Sequence, residues 1–171
     1  MSTIQIKKVG ITSVGTEIIV NAANNQLLRG GGVCGVIFNA AGPKQLQDAC
    51  DKIGYCKTGE AVITPAFNLN AKYIIHVVGP IYQDGNHKEP QLLYSAYKQS
   101  LELAKEYDCH SIGFPLISAG IFGYPLDKAW RKAIQSCNDF INNNPTYNID
   151  IIFAVIDDYV LSVGQQTLNT I

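Results

Sequence analysis

No apolar run in this chain approaches the ~20 residues needed to cross a bilayer, and the N-terminus carries no hydrophobic core of a secretory signal. Positive charge is not in excess either. Thirteen Lys and Arg stand against fourteen Asp and Glu, a formal net charge of −1. A basic stripe interleaved with aromatics is missing too, which argues against a general nucleic-acid binder. There is no Cys-x-x-Cys, and His76, His87 and His110 do not stand at zinc-ligand spacing from any cysteine. No metal and no cofactor are expected. The five cysteines, Cys34, Cys50, Cys56, Cys109 and Cys137, are odd in number and unevenly spaced. Reduced thiols, not a disulfide framework, follow from that, and the cytoplasm is the expected compartment.

What is present is enough apolar residue, 47% of 171, to bury a full hydrophobic core in one domain spanning residues 1–171, expected as a monomer. Thr3 to Val9 alternates as a half-exposed strand, followed by a turn at Gly10–Thr12. Glu17–Asn21, Ala61–Thr64, Lys72–Val78, Ser111–Ile117 and Ile149–Ile156 also read as strands. Helical spacing marks the stretch after Val33, then Gln45–Ile53, Leu93–Ala104, Leu126–Ile141 and Asp158–Leu168, with Asp158 as a candidate cap. Gln83–Pro90 is polar and reads as surface. Strands alternating with helices, several of them uninterruptedly apolar, predict a three-layer α/β/α fold around a mixed, largely parallel sheet.

Val20 to Gly42 organises the chain. An apolar strand ends in Val20-Asn-Ala-Ala-Asn24, a polar turn follows, then Gly30-Gly31-Gly32 and the helix opened by Val33. Glycines let a backbone approach a ligand closely, and the free N–H groups of a helix start favour an anion. Together they form a phosphate cradle that needs no lysine. The Walker lysine and the dinucleotide-binding glycine spacing are both missing. Ser118-Ala119-Gly120-Ile121-Phe122 is a second small-residue loop. Both loops and Gly79-Pro80 follow strands, so all three are expected on one rim of the sheet.

Val20–Asn24, the triple glycine, Ile75-His-Val-Val-Gly-Pro80 and Ile117-Ser-Ala-Gly-Ile-Phe-Gly-Tyr-Pro125 together resemble a macrodomain, in order and spacing over nearly the whole chain. That resemblance implies a module binding ADP-ribose or an ADP-ribosylated protein, often hydrolysing ADP-ribose conjugates such as acidic side-chain esters or O-acetyl-ADP-ribose. A non-catalytic ADP-ribose reader is the alternative. The family pattern assigns the diphosphate and neighbouring ribose to Gly30, Gly31, Gly32, Val33 and Ser118–Phe122. Ala22 and Pro80 complete that wall, and Asn24 meets the distal ribose. Adenine is expected between Ile11 and Ile156.

Two departures stand out. Many macrodomains carry Asp before Ile-Thr as acceptor for the adenine amino group, and this chain has Gly10. The MacroD-type hydrolases have Gly-Val-Asp where this chain has Gly32-Val33-Cys34, and Arg29 stands where several viral relatives have histidine. Asn24 is the leading catalytic candidate and Cys34 a weaker one, since no base lies near the thiol in sequence. Cys34 reads first as a small packing residue, Asn21 equally as a brace on loop backbone, and His76 as a hydrogen-bonded core histidine.

Overall fold

The computed structural model describes residues 1–171, in which the alternating pattern becomes six strands and five α-helices. The order along the chain is β1 (Thr3–Lys8), a 3-10 turn at Ile11–Ser13, β2 (Ile18–Ala22), α1 (Gly32–Ala41), α2 (Pro43–Ile53), β3 (Ala61–Pro65) and β4 (Tyr73–Val77). Then come α3 (Glu89–Glu106), β5 (Ser111–Phe114), α4 (Leu126–Asn143), β6 (Asp150–Val155) and α5 (Asp158–Thr170). The sheet order is β1-β6-β5-β2-β4-β3, with only β3 antiparallel to its neighbour.

Side chains alternate across the sheet with period two, which divides the core into two layers. Val20, Ile75, Phe114 and Phe153 face α3, α4 and α5, while Ile19, Ile74 and Ala154 face α1 and α2. Leu93, Tyr97, Leu101 and Ala104 line one face of α3, and Ala129, Trp130, Ala133, Ile134 and Cys137 one face of α4. Fully burying one large apolar side chain stabilises by about 1.5–3 kcal/mol. Trp130 is wholly buried, its Nε1 donating to Val160 O at 3.0 Å. Gly164 makes room for it, because a Cβ there would sit 2.6 Å from Trp130 Cε2. All five cysteines are buried and unpaired.

Three readings of the sequence need correction. The strand expected over Ser111–Ile117 ends at Phe114, because Pro115 removes a ladder donor, and Pro115–Ile117 joins the following loop. Asp157, not Asp158, caps α5: its Oδ1 accepts from Tyr159 N and Val160 N, while Asp158 pairs with Lys8. The Gln83–Pro90 segment is anchored, not merely superficial. Glu89 is 1% exposed, and its carboxylate accepts the N–H groups of Gln83, Asp84, Gly85 and His87 at 2.6–3.2 Å. Burial would raise its pKa, but those backbone donors outweigh it and hold the carboxyl down to about 2.

Candidate functional site

The parallel strands present their carboxyl ends to one rim. There the segments after β2, β4 and β5 enclose a cavity of about 430 Å³. Its wall combines Ala22, Ala23 and Asn24, the turn Gly30–Cys34, Gly79, and the segment from Pro115 to Ser118 with Gly120, Ile121 and Phe122. No charged side chain lines it.

Gly31 caps α1 without any side-chain acceptor, so the first N–H groups of the helix remain free at the positive end of its dipole. Gly32 has φ +57°, a left-handed conformation that side chains resist. Gly35, one turn further on, completes the cradle. A Cβ there would lie 2.7 Å from Gly30 O, so the loop can fold this closely onto α1 only over a glycine. Sequence reading stopped at the triple glycine and passed over this one, although Gly-Gly-Gly-Val-Cys-Gly contains it.

The opposite wall is strained. Ser118 takes φ +66°, is 7% exposed, and its Oγ has no hydrogen-bond partner. A buried hydroxyl at a cavity wall with nothing to bond is a place for a ligand to supply the partner. Its carbonyl accepts from Tyr124 N at 2.9 Å, and Phe122 O accepts from Tyr82 N at 2.8 Å, so neighbouring backbone holds the loop at both ends. Ile121 at its tip is 99% exposed.

Asn24 lines the cavity and is bound reciprocally to Leu28. Its Nδ2 donates to Leu28 O at 2.8 Å, and its Oδ1 accepts from Leu28 N at 2.9 Å. The amide is therefore fixed in orientation with one N–H and one lone pair still free. Asn21 does not brace loop backbone. It is fully buried, and its Nδ2 contacts His76 Nδ1 at 3.1 Å and Cys34 Sγ at 3.7 Å. His76 Nε2 meets Thr64 Oγ1 at 2.9 Å, so with Nδ1 accepting from Asn21 the ring proton lies on Nε2. Burial pulls the His76 pKa down to about 4 and keeps the ring neutral. It is a core histidine, as its apolar flanks indicate.

Cys34, 7% exposed, accepts from Asn21 and donates to Leu28 O at 3.8 Å. Neither histidine nor carboxylate shares the cavity wall with it. Arg29 lies outside the wall, its guanidinium bonded to Asn39.

Not every residue singled out in the sequence borders this cavity. Pro80 is buried behind Gly79, which takes its place in the wall, and Ala119 also stands outside. Gly79 is there by necessity, since a Cβ would come within 2.3 Å of Ser118 Oγ. Gly10, Ile11 and Ile156 follow the adjacent strands β1 and β6 on the same rim, outside the cavity. Ile11 is buried and Ile156 is 73% exposed. Pro115, Leu116 and Ile117 were missed as wall residues because their apolar run reads as strand.

The family model described as Macro domain matches residues 20–133. An Oceanobacillus iheyensis macrodomain with ADP superposes with a TM-score of 0.93 at 37% identity, covering 99% of this chain and 91% of that one. A Trypanosoma brucei macrodomain in complex with ADP-ribose gives 0.89 at 33% identity, covering 96% and 68%. An O-acetyl-ADP-ribose deacetylase of Escherichia fergusonii is 47% identical over 84% of this chain and 80% of its own length.

Proposed function

The chain belongs to the macrodomain family, and from that premise we propose that it binds ADP-ribose and hydrolyses ADP-ribose conjugates, mono-ADP-ribosylated proteins or O-acetyl-ADP-ribose. The observation that carries this reading is the cavity between α1 and the Ser118 loop. It offers uncapped helix N–H groups on one side and an unpartnered buried hydroxyl on the other. A diphosphate needs donors from two sides, and a wall without charged side chains holds it through backbone dipoles and the Ser118 hydroxyl.

In this account Gly30–Cys34 and Ser118–Phe122 clasp the diphosphate, and Asn24 presents its free N–H to the distal ribose. Ile11 and Ile156 flank the adenine, where Gly10 leaves the amino group without a carboxylate acceptor. Asn24 has the preorganisation such a role requires, since its pairing with Leu28 fixes the amide before any ligand arrives. Cleavage proceeds by polarising the ribose, with a water held by the substrate's own phosphates. Cys34 is a poor nucleophile here: its thiol is already bonded to Leu28 and Asn21, and no base adjoins it.

The second reading is a non-catalytic ADP-ribose reader, favoured by the absence of any acid or histidine in the cavity wall. Incubation with a mono-ADP-ribosylated protein separates the two. Release of free ADP-ribose is expected. Tight binding of ADP-ribose with no release identifies the reader.

A further inference from the structure

A second cavity, of about 500 Å³, opens beside the first turns of α4. Lys128, Arg131, Lys132 and Gln135 form one wall, and Pro90, Tyr124 and Ile171 form the rest. The four α4 positions follow helical spacing, on the side away from the core residues Trp130, Ala133, Ile134 and Cys137.

Three cations on one cavity wall need an explanation, because the chain as a whole is slightly acidic. Ion pairing does not supply it. No carboxylate lies within 4 Å of Lys128, Arg131 or Lys132, as holds for every lysine and arginine of the chain except Lys8, Lys44 and Lys72. No acidic side chain lines the cavity, and Asp139 further along α4 accepts from Tyr94 instead. Helix stability does not supply it either. Lys128 sits in the first turn, where the helix dipole disfavours a cation; Asp127 beside it in that turn complements the dipole but comes within 4 Å of none of the three cations. Lys132 Nζ is held by Gln135 Oε1 at 3.0 Å, which places its ammonium along the wall.

We propose that this cavity binds a second ligand of the diphosphate class, at a site separate from the one that takes ADP-ribose. The planar Arg131 fork matches two phosphate oxygens, Lys128 and Lys132 act as point charges beside it, and Gln135 offers a neutral polar edge. Tyr124 is the physical link between the two sites, since it lines this cavity while its N–H holds Ser118 O at 2.9 Å in the wall of the other.

The test follows backbone amide shifts of isotope-labelled protein, saturated with ADP-ribose, as inorganic pyrophosphate is added. Saturable shifts are expected at Tyr124 and over Lys128–Gln135, with a Kd on the order of 1 mM or tighter. Arg131→Gln should weaken that response about tenfold or more, and rising salt should weaken it progressively. Arg131 is exposed and Lys132 partly so, on the side of α4 away from the core, so the variants should keep their fold, which circular dichroism verifies. ADP in place of pyrophosphate distinguishes the sources: tighter binding assigns the site to nucleotides, weaker binding to free diphosphate. Absence of saturable shifts on α4 overturns the proposal. So do the same shifts from sodium glutamate at matched ionic strength, or an unchanged response in a folded Arg131→Gln, Lys132→Gln double variant. Because α4 and the Gly30–Cys34 amides are read separately, failure at either site is distinguishable from failure at the other.

Discussion

Gly79 and Ser118 meet so closely that one more carbon does not fit between them: a Cβ on Gly79 would stand 2.3 Å from Ser118 Oγ and 2.4 Å from Ile117 Cγ2. The segment after β4 thereby holds the loop after β5 in its left-handed turn, with the unpartnered hydroxyl buried at the cavity wall. Gly79→Ala should displace that loop. Overpacking at a tight contact costs about 1–3 kcal/mol, so urea denaturation should show a loss of that size together with weaker ADP-ribose binding. Gly120→Ala, with nothing within 4 Å of its Cβ, is the matched control and should change stability little. Equal stability of the Gly79 variant and the parent would mean that the two loops are not interlocked.

Asn24 and Cys34 should separate in single-turnover kinetics. Asn24→Ala removes the free amide donor and also the two bonds that fix Leu28, so most ADP-ribose release should be lost. Cys34→Ala should remain within about tenfold of the parent, equivalent to ~1.4 kcal/mol in the barrier. An inactive Cys34→Ala beside an active Asn24→Ala would make the thiol the catalytic group.

Stability should fall in two stages on acidification. The unfolded chain protonates its histidine near the ordinary 6.5, whereas folded His76 resists down to about 4, so its contribution declines as pH falls through that window. Glu89 then follows. Its folded carboxyl stays ionised down to about 2 against an ordinary 4.5, so its stabilisation is complete above 4.5 and is lost as pH falls towards 2. Melting temperature against pH should be flat in both respects above about 7. His76→Gln should flatten the upper stage and Glu89→Gln the lower. An unchanged slope between pH 6.5 and 4 in His76→Gln would exclude the first assignment.

Much of this architecture was legible because the local signals agreed with the fold. Buried strands read as apolar runs, α4 as a helical stripe, and Gly30–Gly32 as a turn into a helix. The misreadings concern which partner a group finds in the folded chain, near or far in sequence, and residue pattern does not encode that. Glu89 looks like one more surface acid until four backbone N–H groups close on it, and Asn21 finds His76 across the β2–β4 pair. Gly35 and Gly79 matter for what a Cβ would strike in another segment, and composition does not report that. Pro115–Ile117 carried a strand's apolarity while serving as cavity wall.

The central claim is that ADP-ribose sits on the glycine turn at the start of α1, and a calorimetric titration of three proteins tests it most directly. The parent should bind one equivalent. Gly31→Ala should bind nearly as well, because Gly31 has an ordinary φ of −88° and open space around its Cβ. Gly32→Val forces a β-branched residue into φ +57°, a conformation that costs roughly 1–2 kcal/mol even before branching is counted. The turn must reshape to relieve it, so ADP-ribose affinity should drop at least about tenfold while the protein stays folded. Unchanged affinity in a folded Gly32→Val protein would place the diphosphate elsewhere and contradict the account.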